Sequence, residues 1–145
     1  MEFDKDFLGK LFEQAVTNPR LRQNFDLRTS PADTSQRMLN ALLPGTKVPI
    51  HRHEDTTETV ICLVGKLEEI IYEEVNEYVH EATSCCDDVI RQKSFKEVSR
   101  QVLSPAEGKF GIQIPAGAWH TINVIEPSVI FEAKDGKYGD CLLYT

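Results

Sequence analysis

The apolar positions along the chain fall into two regimes. At the start, Phe3, Phe7, Leu8, Leu11, Phe12, Ala15 and Val16 recur at steps of three and four residues, the spacing of one helix face. This predicts an amphipathic helix over residues 2–17. It should stop at Asn18-Pro19, because the residue before a proline avoids the helical region. Beyond it the runs are short and rich in β-branched residues. Residues 20–35 are polar and suit irregular or briefly extended chain. Arg37–Leu43 reads as a strand stopped by Pro44-Gly45, and Val48–His53 as another. Thr57–Val64 and Leu67–Tyr72 flank Gly65-Lys66, which predicts a hairpin turn there. Residues 73–79 could extend a strand pair or form a helical turn, and 80–100 read as polar and irregular. Gly111–Pro115, Thr121–Val124 and Ser128–Ala133 resume the strands. Many short strands separated by turn residues predict an all-β sandwich or barrel behind one N-terminal helix.

Composition narrows the class. The chain has 145 residues, 41% hydrophobic and 27% charged, which suits one globular domain with a core of its own. We expect a helix over 1–18 and a β-barrel over 35–140. A net charge of −7 repels phosphate backbones at long range, so nucleic acid is not an expected partner. No apolar run approaches the length of a membrane span. The acidic start, Met1-Glu2-Phe3-Asp4, reads as neither signal nor transit peptide, so the expected compartment is the cytoplasm. The four cysteines, Cys62, Cys85, Cys86 and Cys141, lack C-x-x-C spacing and are expected to do no metal or redox work.

The histidines carry the chemistry. His51 and His53 sit two apart on a predicted strand, so both face the same side. Glu58 follows across a polar turn at the start of the next strand. His120 lies far along the chain, after Pro115-Ala116-Gly117. Imidazole and carboxylate together suit first-row ions such as iron, manganese, nickel, cobalt, copper or zinc. His80 fits no ligand spacing and is expected at the surface, and Trp119 is expected to pack and steady the loop before His120.

These residues carry a family resemblance. Gly45-(x5)-His51-Arg52-His53-(x4)-Glu58-(x6)-Gly65 matches the first cupin motif at each fixed position, and Pro115-Ala116-Gly117-Ala118-Trp119-His120 matches the core of the second. Departures are Asn123, three residues after the histidine rather than four, and Lys109 where the second motif has glycine. Ser35-Gln36-Arg37-Met38-Leu39-Asn40-Ala41-Leu42-Leu43-Pro44-Gly45, Ala116–Thr121 and Phe131–Tyr138 resemble the WbuC-type cupin-fold metalloproteins, although 73–107 is longer than the usual connection. The resemblance implies a double-stranded β-helix, the jelly-roll barrel of cupins. It also implies one divalent transition metal (iron, manganese, nickel or zinc) held by His51, His53, Glu58 and His120.

Fold alone does not choose a reaction. The expected function is a metal-dependent enzyme acting on a small anionic or carbohydrate-like metabolite, by isomerase, epimerase or dioxygenase chemistry. The alternatives are a non-catalytic metal-dependent binding protein, or a structural partner that docks through exposed Phe3, Phe7 and Phe12. Arg28, Gln36, Arg37 and Tyr72 are candidates for holding substrate, and Glu132 and Tyr138 for moving its proton. The expected partners are a small molecule and, by frequency of two-fold pairing, a second copy of the chain.

Overall fold

A computed structural model describes residues 1–83, 86–136 and 142–143. One helix, α1 (Lys5–Thr17), precedes eight strands: β1 (Arg22–Asp26), β2 (Ser35–Leu42), β3 (His51–Arg52), β4 (Glu58–Thr83), β5 (Cys86–Leu103), β6 (Gly111–Ile114), β7 (Trp119–Asp135) and β8 (Leu142–Leu143). The helix starts three residues later than its apolar pattern because Asp4 caps it, accepting a hydrogen bond from the Phe7 N–H at 2.8 Å. A side-chain oxygen at that position satisfies an otherwise unpaired helix donor.

The framework is two long bent strands, β4 and β7, paired antiparallel from Glu58↔Lys134 to Tyr72↔Trp119. Both turn a corner midway and so contribute to two sheets. Hydrogen bonding links all eight strands, and the corners divide them into a first sheet, β1-β2-β7-β4-β6, and a second that joins β8, β3, β7, β4 and β5. Gly65 makes the corner of β4. It sits at φ +95°, and a Cβ there would collide with the backbone of Pro127 and Ser128 at the corner of β7. Ser128 Oγ fastens the two corners, accepting from Lys66 N–H at 2.9 Å and donating to Glu126 O at 2.7 Å. The expected hairpin turn at Gly65-Lys66 is therefore a bend within one strand. The local signal is the same in both cases, a glycine between two β-rich runs, and the partner strand decides between them.

Alternation along β2 supplies both faces of the first sheet. Leu39 and Ala41 face α1, where they bury Leu11 and Ala15 with Val129. Phe7 and Phe12 also pack onto this cluster, while Phe3 is 48% exposed. Burying a leucine such as Leu11 contributes about 2 kcal/mol. Leu42 faces the other way, into a barrel core with Val60, Cys62, Leu67, Leu103, Ile114, Val124 and Ile130. Above Leu42 on the same face come Asn40, Met38 and Gln36. The barrel is thus apolar at one end and polar at the other.

Residues 73–79 extend a strand pair, one of the two readings the sequence left open, and residues 80–83 and 86–100 are extended where irregular chain was expected. Beyond Tyr72 strand β4 leaves β7 and continues paired with β5 alone, from Tyr72↔Glu97 to Thr83↔Cys86. Tyr78, Val89 and Ile90 are exposed on this two-stranded ribbon. With little buried surface, its sequence carries no alternation of apolar and polar positions to read.

Candidate metal centre

The polar end of the barrel gathers side chains from both sheets around a cavity of about 440 Å³. His51 on β3 pairs in register with His120 on β7. His53 follows just after β3, and the turn of the second motif is tied to it, since Gly117 N–H donates to His53 O at 2.7 Å. The three imidazole rings sit with centroids 4.2 to 5.6 Å apart. One nitrogen from each can be chosen so that all lie within 4.8 Å of one another. Bonds of about 2.1 Å to a common ion place ligand atoms roughly 3 to 4 Å apart, so a small contraction suffices.

The ring orientations suit an ion. The carbonyl of Pro49 accepts from His51 Nδ1 at 2.8 Å, and that of Ala118 from His120 Nδ1 at 2.9 Å. A carbonyl can only accept, so each Nδ1 carries a hydrogen and each neutral ring presents the Nε2 lone pair. His120 Nε2 is buried without a hydrogen-bond partner. Burial pushes His120 down to about 4 and lowers His51 as well, the neighbouring imidazoles adding to both effects. Both rings are therefore neutral at neutral pH, the state that binds metal.

Glu58 completes the group. Its Oε2 lies 2.6 Å from His53 Nε2, which leaves room for one shared proton. Burial pushes this carboxyl up, but the hydrogen bond to His53 and the fields of the three imidazoles prevail and hold it below the usual range. The next carboxyls behave oppositely. Glu132 on β7 is pushed up to about 8 by burial and then by Glu58, while Asn40 hydrogen-bonds to it. Glu69 on β4 is 2% exposed and held well above the carboxylate range by burial, then by Glu58 and Glu132.

The other candidates divide. Gln36 and Glu132 line the cavity, together with Arg20, Arg22, Asn40, Glu69 and Lys134. Arg37, its neighbour on β2, points the opposite way and pairs with Asp33 at 2.8 Å. Arg28 pairs with Asp26 at 2.9 Å, away from the cavity. Tyr72 also lies off the cavity, its ring 6.5 Å from that of Phe95. Thus Arg28, Arg37 and Tyr72 do not line the site, and Tyr138 lies outside the described residues. Glu69, Asn40, Arg22 and Lys134 were missed. For Asn40 and Lys134 the signal was alternation, since 36, 38, 40, 42 on β2 and 130, 132, 134 on β7 share one face, whereas Arg22 on β1 and Glu69 on β4 had no such local signal.

Trp119 packs as expected, under Arg52 and against Phe95. His80 is exposed. Cys62 is buried in the apolar half of the barrel, which pushes its thiol up to about 11. That leaves it inert as a ligand or nucleophile. Cys85 and Cys141, and the Cys86 side chain, lie outside the described residues.

Comparison with known proteins agrees with this architecture. Oxalate oxidase in complex with the substrate analogue glycolate superposes with a TM-score of 0.57 at 13% identity, over 88% of this chain and 57% of that one. KdgF from Halomonas sp. matches with a TM-score of 0.53 at 16% identity, over 86% of both chains. The capsular polysaccharide assembling protein CapF from Staphylococcus aureus matches with a TM-score of 0.51 at 19% identity, over 88% of this chain and 32% of that one. The chain therefore has the cupin fold, and it spans little more than half the length of oxalate oxidase. No curated protein matches the sequence significantly. One family model matches residues 3–83, more than half of the chain, and is described as a domain of unknown function, DUF6016. Among the described residues no helix is long and apolar enough to cross a membrane.

Proposed function

The chain belongs to the DUF6016 family, and we propose that it is a metal-dependent cupin enzyme acting on a small anionic or carbohydrate-like metabolite. The observation that carries this reading is the convergence of His51, His53 and His120 at the cavity wall. With Glu58 they would hold one divalent transition metal, and three imidazoles with a carboxylate suit iron, manganese, nickel or zinc. Such an ion, when bound, supplies Lewis acidity toward a ligand oxygen. On an octahedral ion four protein ligands leave two positions for that ligand.

The rest of the chemistry belongs to the chain. Glu132 faces the cavity near the histidines, and its carboxyl, pushed up to about 8 by burial and then by Glu58, can take up and release a proton at a carboxyl oxygen. A proton-exchanging carboxyl in the wall favours proton transfer, of the isomerase or epimerase kind, over passive binding. Arg20, Arg22 and Lys134 give the same cavity cationic groups that suit a carboxylate or phosphate. Arg22 also braces the loop before β3 by donating from Nη1 to Lys47 O at 2.8 Å. The resemblance to WbuC-type proteins and the listing of capsular assembly in the name of CapF both fit a carbohydrate-like metabolite. A cytoplasmic homodimer remains part of this proposal.

Cobalt(II) added to chelator-treated protein tests the open coordination. The visible band of the bound ion should change shape when a small hydroxy acid such as glycolate is added. A band that no small acid perturbs contradicts a ligand-accessible ion.

A further inference from the structure

Three side-chain oxygens in the cavity wall have no hydrogen-bond partner among the described residues. They are Gln36 Oε1, Asn40 Oδ1 and Glu69 Oε2. Gln36 and Glu69 are 6% and 2% exposed, and all three residues line the cavity. Gln36 and Asn40 are four apart on β2 and share its inward face, while Glu69 comes from the second sheet, where it pairs with Ile122 of β7. The wall thus offers two amide acceptors from β2 and one carboxyl from β4 across a single space.

A buried acceptor without a donor is costly, and native proteins rarely leave one. Whatever fills this cavity must bring hydrogens. An ionised carboxylate alone brings none. An ammonium group brings them, but it would share the cavity with Arg20, Arg22 and Lys134. Hydroxyl groups bring donors without added charge. The cationic residues then suit an anionic end of the same molecule, since guanidinium presents a fork of donors to a carboxylate. Met38, Val48 and Ile122 supply apolar wall for its C–H faces. Burial, then Glu58 and Glu132, push the Glu69 carboxyl up, which favours its neutral form and lessens repulsion of such an acid.

We propose that the cavity binds a polyhydroxylated carboxylic acid of the aldonate or uronate class, with Gln36, Asn40 and Glu69 reading its hydroxyls. This rests on the reading of the cavity as a substrate site, and it adds a requirement that the metal centre alone does not impose. The volume of about 440 Å³ lies within the range of small-molecule sites and suits a single such unit.

The test is calorimetric titration of manganese-loaded protein with a panel of aldonates and uronates that includes D-gluconate and D-galacturonate. Adipate serves as an acid without hydroxyls and sorbitol as a polyol without charge. At least one polyhydroxylated acid should bind tenfold or more tightly than adipate and sorbitol. Gln36→Met and Asn40→Leu should each weaken that binding about tenfold, equivalent to about 1.4 kcal/mol, with melting temperature and manganese stoichiometry retained. Gln36→Met keeps the length and bulk of the side chain, so its result does not depend on whether Asn40→Leu folds. Adipate binding as tightly as every hydroxylated acid overturns the proposal, as does no binding from the panel or full binding by Gln36→Met. Manganese stoichiometry is read separately. Protein that holds the ion but no hydroxylated acid sinks this inference alone, and protein that holds no ion sinks the metal reading.

Discussion

Arg52 lies over Trp119, its guanidinium carbon 4.7 Å from the ring centroid. The contact joins two distant parts of the sequence, because Arg52 stands between His51 and His53, and Trp119 precedes His120. Arg52 also pairs with Glu54 at 2.9 Å, and Trp119 is flanked on another side by Phe95 at 5.0 Å. A cation held on an indole contributes about 0.5–2 kcal/mol, depending on how dry the contact is. Here it ties together the two segments that carry the three clustered histidines. Arg52→Ala should lower metal affinity about tenfold without removing a ligand, in the range of other changes behind a ligand shell. Competition against a chromogenic chelator measures this. Affinity equal to that of the wild type would mean that the stack plays no part in positioning the site.

Glu69 gives a pH dependence with a definite sign. Its carboxyl is held well above the ordinary value of 4.5 by burial, then by Glu58 and Glu132. In the unfolded chain it ionises near that ordinary value. Above it the folded protein carries the extra proton, so stability is full at lower pH and is lost as pH rises toward the folded value. Glu69→Gln has no proton to lose. In chelator-treated protein the melting temperature of the variant should gain on the wild type steadily as pH rises above the ordinary carboxylate range. Parallel curves over that rise would show that Glu69 is ionised in the folded state.

Gly65→Ala should be among the most damaging small substitutions. A Cβ meets the Pro127 and Ser128 backbone, and the residue sits at φ +95°. Such backbone strain alone costs about 1–3 kcal/mol, and the collision adds to it. Urea denaturation measures the loss. A cost below about 0.5 kcal/mol, the ordinary surface range, would rule out the tight corner between β4 and β7.

Leu39 separates stability from chemistry. It is fully buried between the first sheet and α1 and faces away from the cavity. Leu39→Ala should cost about 2–5 kcal/mol while the folded protein keeps its metal stoichiometry. Loss of metal from folded protein would show that the helix-side core sets the site geometry.

The fold and the three histidines were legible because their signals are local. Spacing two apart put His51 and His53 on one side, and the Pro115–His120 turn marked the third ring. Alternation on β2 also implied that Gln36 and Arg37 point oppositely, and they do. What could not be read depends on partners distant in sequence. Gly65 looks like a hairpin turn until Pro127 and Ser128 are placed against it. Arg28 and Arg37 look like anion clamps until Asp26 and Asp33 are seen to hold them outside. Glu69 resembles any charged strand residue, and only the bend of β4 carries it into the cavity that the three histidines line. The ribbon beyond Tyr72 was legible only as one of two readings for 73–79, and its remainder was missed for another reason, since it is largely solvated and carries no apolar alternation.

The most direct measurement is elemental analysis of protein purified anaerobically without chelator or metal-affinity tag, beside His51→Ala and His120→Ala. The expected result is one transition-metal ion per chain in the wild type and loss of most of it in both variants, with a lower melting temperature in metal-containing buffer. Unchanged metal content in both variants, or a wild type that takes up no ion from iron, manganese, nickel or zinc, would contradict a metal centre built on these histidines.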